Sequence, residues 1–200
     1  MMANTWRLRM VGAVALLAFA ALRVDAQTYT VTLNGANEVP PNLSAGGGAG
    51  VFTLTGDLFA IMVNFSNLSG ATTASHIHCC TVTPFTGTAG VASQVPSYPG
   101  FPLGVTSGTF NNTFDLSLVG SYNPAFVASH GGTAASAEAA FIAGLNSGTA
   151  YYNIHSTTFP NGEIRGFVVL TPEPASVVLL ATGLLGVGVA ARRRRARGDL

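Results

Sequence analysis

Threonine alternates with larger side chains through Tyr29–Gly35 (YTVTLNG), and the run stops on Asn-Gly. A two-residue period sends one set of side chains to a core and the other to solvent, so it predicts a strand followed by a turn. Val51–Thr55 and Leu58–Phe65 repeat the pattern on either side of Gly-Asp, which predicts a hairpin. Ala74–Cys80 (ASHIHCC) continues it, and Ser107–Leu118 (SGTFNNTFDLSL) predicts a second hairpin about Asn111-Asn112. Ala150–His155 (AYYNIH) and Glu163–Leu170 (EIRGFVVL) complete the set, joined through Pro160-Asn161-Gly162, a strong turn signal. One segment departs from this period. Thr133–Gly148 (TAASAEAAFIAGLNSG) is alanine-rich with Phe141 and Leu145 four apart, which predicts a helix closed by Gly148. Pro40–Gly50 (PPNLSAGGGAG) reads as a flexible surface loop, and Thr83–Gly104 as a long excursion of the kind found at functional ends of a fold. The expectation is a mainly β domain of seven or eight short strands with one short helix, arranged as an immunoglobulin-like β-sandwich or an open barrel.

The two ends follow other rules. Arg7 and Arg9 precede an apolar run from Met10 to Leu22, and Val24-Asp25-Ala26 places small residues at a cleavage site. This is the pattern of a secretory signal peptide over residues 1–26. At the other end stand Pro172-Glu173-Pro174, an apolar stretch from Ala175 to Ala191, and a basic tail of Arg192, Arg193, Arg194, Arg195 and Arg197. Those 17 apolar residues would extend about 26 Å as a helix, enough for a thin bilayer. The arginines act as a stop-transfer signal that stays cytoplasmic and leaves everything upstream outside. The chain therefore divides into 1–26, a folded domain 27–171 and a targeting segment 172–200.

Charge changes the picture once the ends are set aside. Eight of the nine basic residues lie in them, and no lysine occurs anywhere. Residues 27–171 carry one basic side chain, Arg165, against five acidic ones, Glu38, Asp57, Asp115, Glu138 and Glu163, a formal charge of −4. Such a domain offers no counter-charge for phosphates, which argues against nucleic acid as a partner.

The tripartite C-terminal segment resembles the PEP-CTERM sorting signal of Gram-negative bacteria. That resemblance implies export, transient anchoring in the inner membrane through the helix, and processing by an exosortase, with delivery to the cell surface or beyond. It also implies association with exopolysaccharide and biofilm. Three blocks within the domain, VTLNGANEVPP near its start, ASHIH in the middle and AYYNIHSTTFPNGEIRGFV at its end, are similar in order and content to the CHRD domain. What this implies is a β-sandwich module of exported proteins with a structural or binding role.

Candidate chemistry is sparse. On a strand His76 and His78 share one face about 6.8 Å apart, close enough to hold one ion. A third ligand must come from another strand, and His155 is the candidate, on one side of AYYNIH with Tyr151 and Asn153. Imidazole suits Cu or Zn. With His130 the whole chain has four histidines, too few for a two-metal site, so at most one metal ion fits. Cys79 and Cys80 are the only cysteines, in a compartment where disulfides persist. A vicinal disulfide in a tight turn, two free thiols and an intermolecular link are the choices, the first favoured. Glu163 and Arg165, two apart on a strand, form a candidate structural ion pair. Tyr98, Phe101, Tyr122 and Tyr151 make a candidate carbohydrate-binding face. No Ser-His-Asp order, paired carboxylates or phosphate loop stands out, so the expectation is a module that binds and is no enzyme, with a mononuclear Cu or Zn domain of storage or redox role as the alternative.

Overall fold

The computed structural model describes residues 26–172 and 179–189. The strands are β1 (Gln27–Asn34), β2 (Gly47–Thr55), β3 (Leu58–Ser66), β4 (Thr72–His78), β5 (Gly108–Asp115), β6 (Tyr151–Ser156), β7 (Ile164–Phe167) and β8 (Val169–Thr171). Helices α1 (Pro124–Ser129) and α2 (Ala134–Ser147) lie between β5 and β6. The strands pair antiparallel in one sheet of order β4-β6-β7-β1-β2-β3-β5, with β8 also beside β1. The sheet curls into a half-barrel, the open-barrel form of the mainly β expectation. β7 and β8 run along β1 in one register, Arg165 opposite Asn34 and Thr171 opposite Thr28, interrupted at Val168.

Alternation sets the core. Tyr29, Val31 and Leu33 of β1, Phe52 and Leu54 of β2, and Phe59, Ile61, Val63 and Phe65 of β3 are buried, while the residues between them are more open to solvent. Helix α2 adds Phe141, which stands edge-on to Phe59 at 5.7 Å and to Tyr122 at 6.0 Å. Its start is fixed by the reciprocal hydrogen bonds of Thr133 and Ser136, and its end by Gly148 at φ 70°, as the sequence predicts. Gly144, inside this helix, is required by packing, because a Cβ there would collide with the sulfurs of Cys79 and Cys80.

Two local expectations fail, each because tertiary pairing overrides a local turn or loop signal, and one element was not foreseen. Asn111-Asn112 does not turn: β5 runs straight through it, with Asn111 opposite Met62 and Asn112 opposite Ile61. The glycine run is not all loop, since Gly47–Gly50 opens β2 and pairs on both sides. Side chains at Gly48 or Gly50 would meet the β3 backbone carbonyls of Asn64 and Met62, so the pattern there records close approach and not freedom. Helix α1, capped by the Asn123 side chain, was not foreseen.

The sheet has two edges, β4 and β5, and the 80–107 excursion covers the first. Cys79 N–H donates to Gly90 O at 3.0 Å, Ala92 N–H to Ile77 O at 2.9 Å and Tyr98 N–H to Ser75 O at 3.2 Å. Further along, Thr72 N–H donates to Val105 O at 2.8 Å. A buried strand edge must have its backbone groups satisfied, and here an irregular segment does it in place of another strand.

Residues 179–189 are helical, and among the described residues no helix is long and apolar enough to cross a membrane. The expected signal peptide up to residue 25, Glu173, Pro174, the remainder of the 175–191 span, and Arg192–Arg195 with Arg197 fall outside the described residues.

Two predictions follow from packing and from a buried acid. Phe141→Ala removes a ring enclosed by Phe59, Tyr122 and Phe126, and should cost about 3–5 kcal/mol in urea unfolding. Glu163 is wholly buried and ties distant loops, its Oε1 accepting from Ser44 Oγ and from Ser69 N–H, both at 2.5 Å. Burial alone would push its carboxyl up, but hydrogen bonds from Ser156, Ser44 and Ser69 outweigh this and hold it below the usual carboxylate range. A depressed folded value contributes stability that is present above the unfolded pKa, about 4.3, and lost as pH falls through the folded one. Glu163→Gln should therefore lower stability at pH 7 by about 1–3 kcal/mol and flatten the acid limb of a thermal-melt series against pH.

Candidate metal centre

Alternation along β4 sends Ser75 and Ile77 to the core and Ala74, His76 and His78 to the other face. β6 does the same with Tyr152 and Ile154 inside, leaving Tyr151, Asn153 and His155 beside the β4 histidines. The register decides who meets whom. His78 lies opposite Tyr151, His76 opposite Asn153, and Ala74 opposite His155. His155 is thus the diagonal neighbour of His76, within reach of an imidazole, and the methyl of Ala74 leaves the room for it.

The three sequence candidates His76, His78 and His155 do come together: one ring nitrogen from each lies within 4.8 Å of the others. The opposite nitrogens are all occupied. His76 Nε2 donates to Pro96 O at 2.6 Å, His78 Nδ1 to Ala89 O at 2.9 Å and His155 Nδ1 to Pro160 O at 2.9 Å. A carbonyl can only accept, so each of those nitrogens carries its ring's hydrogen, and the inward nitrogens of the neutral rings present lone pairs. His76 Nδ1 and His155 Nε2 face each other at 3.4 Å, and His78 Nε2 is buried without a hydrogen-bond partner. Two lone pairs at that distance repel. Yet 3.4 Å is close to the separation of two nitrogens each about 2.0–2.1 Å from one shared ion.

Burial keeps the rings neutral. It pushes His76 and His155 below the ordinary imidazole value, and His78 down to about 4, with the neighbouring histidines and Arg165 adding to the effect at His78. Neutral imidazole is the form that ligates a metal. The carbonyls that fix the tautomers come from two connecting segments: Ala89 and Pro96 from the long excursion, Pro160 from the Pro-Asn-Gly turn. A hydrogen bond on the far nitrogen orients a ligating histidine and raises its basicity.

Behind the cluster stands a layer that sequence reasoning placed incorrectly. Arg165 does not pair with Glu163, whose carboxylate is taken up by Ser44 and Ser69. Its partner is Glu38 at 3.9 Å, just past the 3-10 turn Gly35–Asn37, while its Nε donates to Asn37 O. Burial, only partly offset by Arg165, pushes Glu38 up to about 7. The guanidinium lies 4.7 Å from the centre of the Tyr151 ring, and the other side of that ring stacks on His78 at 4.7 Å, nearly parallel. Glu38 was missed, its one legible signal being its place in the first quoted block, whereas Tyr151 was placed beside His155 but given a carbohydrate role in place of this one.

The remaining candidates separate from the site. His130 closes α1, its Nδ1 donating to Phe126 O at 2.8 Å. Cys79 and Cys80 are joined to each other, beyond the last residue of β4 and against Gly144, so neither has a thiolate to offer. Tyr98, Phe101, Tyr122 and Tyr151 are each at most 5% exposed, which removes the expected carbohydrate face: the first three rings belong to the core, and Tyr151 is enclosed between His78 and Arg165.

Comparison with known families agrees with this arrangement of blocks. The model of the CHRD domain matches residues 29–168, which takes in every strand that builds the cluster, and the model of the PEP-CTERM protein-sorting motif matches residues 170–195. No curated protein and no solved structure gives a significant match. The sorting motif marks a protein that is exported, sorted to the cell surface through a membrane-anchored stage and processed by an exosortase. With the family model covering the folded domain almost from end to end, the chain belongs to the CHRD domain family.

Proposed function

We propose that this exported CHRD module binds a single transition-metal ion, Cu or Zn, through His76, His78 and His155, and that it works by binding and not by turnover. The observation that carries the reading is the pairing of roles on each ring, with one nitrogen tied to a carbonyl and the other turned toward its two counterparts. Packing alone does not call for this. Histidines that only pinned loops would gain nothing from three lone pairs brought together in a partly buried place, whereas an ion converts that repulsion into three bonds. The sheet supplies rigidity, since the ligands sit on two paired strands and not on loops. Storage, delivery or redox use of the ion at the cell surface, in contact with exopolysaccharide, suits an exported domain with one arginine, no lysine and no set of groups for acid-base chemistry.

A second reading is structural: the three carbonyl bonds fasten the excursion and the β6–β7 turn to the sheet, and the module serves as a scaffold in the matrix. The two part on one measurement. Protein purified without chelator should contain close to one equivalent of Cu or Zn by elemental analysis, retained in His130→Ala and lost in His76→Ala and His155→Ala, with circular dichroism showing the fold intact. Metal-free wild-type protein that takes up neither ion on titration would leave the scaffold reading standing.

A further inference from the structure

The surroundings of the cluster go further than the ligand count. Among the described residues the group that converges is three histidines and nothing else: no carboxylate and no thiolate joins it. The acids nearby point elsewhere, Glu163 Oε1 to Ser44 and Ser69 and Glu38 Oε2 to Arg165, while the second oxygen of each has no hydrogen-bond partner. Both cysteines are in their mutual bond. The one cation of the domain stands on the far side of Tyr151, whose ring is stacked on His78, and its field already bears on that imidazole. Nor can the rings supply negative charge by losing a second proton, because each N–H is held by a carbonyl that cannot take it. Any charge that enters this place meets no carboxylate among its ligands.

The cost of that rises steeply with the charge. The solvation an ion loses on leaving water scales with the square of its charge, so a dication gives up about four times what a monocation does. Zinc also completes a tetrahedron, and with three histidines its fourth place falls to a water, which brings no charge of its own unless it ionises. Monovalent copper is content with three nitrogen donors and brings half the charge. We infer that the centre selects copper(I) over zinc(II), and that the selection comes from the missing carboxylate and the nearby guanidinium more than from the imidazoles themselves. This rests on the metal-binding reading above and refines it.

Asn153 offers the means to test the electrostatic part. It lies opposite His76 on the ligand face, between Tyr151 and His155, and its Oδ1 has no hydrogen-bond partner. Asn153→Asp changes charge with almost no change of shape. The full chain and this variant should be titrated anaerobically, copper(I) against a chromophoric copper(I) chelator with ascorbate as reductant so that the disulfide is untouched, and zinc(II) against a zinc indicator. The expected result is copper(I) bound at least roughly 100-fold more tightly than zinc(II) by the wild type, with the preference narrowed at least roughly tenfold in Asn153→Asp. Zinc bound as tightly as copper(I) by the wild type overturns the selectivity while leaving a metal site in place. An unchanged preference in folded Asn153→Asp overturns its electrostatic cause. Binding of neither ion overturns the metal reading itself, and if the variant does not fold, the wild-type ratio alone decides.

Discussion

The free edge of β4 is the constraint on which the rest depends. A strand at the rim of a sheet carries backbone groups that must find partners or stay in water. Here the cover is the chain's own 80–107 excursion, laid along the strand through Gly90, Ala92 and Tyr98. That cover does three things at once. It buries the outward histidines of β4, it delivers the Ala89 and Pro96 carbonyls that fix their tautomers, and by excluding water it keeps them neutral. Without it, two surface imidazoles would titrate near their ordinary value and rotate freely.

The same economy runs through the polar interior. A domain with one cation cannot neutralise five acids pairwise, so its buried carboxylates are met in other ways. Glu163 is solvated by hydroxyls and a backbone amide from two loops, which makes it a clamp between the β1–β2 and β3–β4 connections. Glu38 keeps the lone arginine, whose charge offsets only part of the burial that pushes its carboxyl up to about 7. Arg165 is then placed to touch Tyr151, and through its ring His78, so the ion pair behind the sheet and the histidines on it form one continuous layer.

Much of this was legible because strands announce themselves by period. The alternation of YTVTLNG, the two runs about Gly56-Asp57 and the alanine-rich stretch to Gly148 each became the element their pattern predicts. The misreadings cluster where a local signal competes with a long-range one. Asn-Asn and a glycine run look like turns in isolation, yet both are strand because neighbours on β1 and β3 pair with them. The Glu163–Arg165 pair failed for the same reason, since closeness in sequence does not rank a carboxylate against a hydroxyl arriving from 119 residues away, or against the acid Glu38 from the start of the domain.

Composition and spacing by themselves determined an exported, lysine-free β domain with two histidines on one strand face and a third within plausible reach. They did so because targeting signals, strand period and side-chain parity are properties of short stretches. Only the tertiary structure decided that His155 sits diagonal to His76, that every far nitrogen meets a carbonyl, and that no carboxylate shares the place. Those facts depend on strand register and on which loop covers which edge, and both are set by contacts between residues tens of positions apart, about which no short stretch carries information.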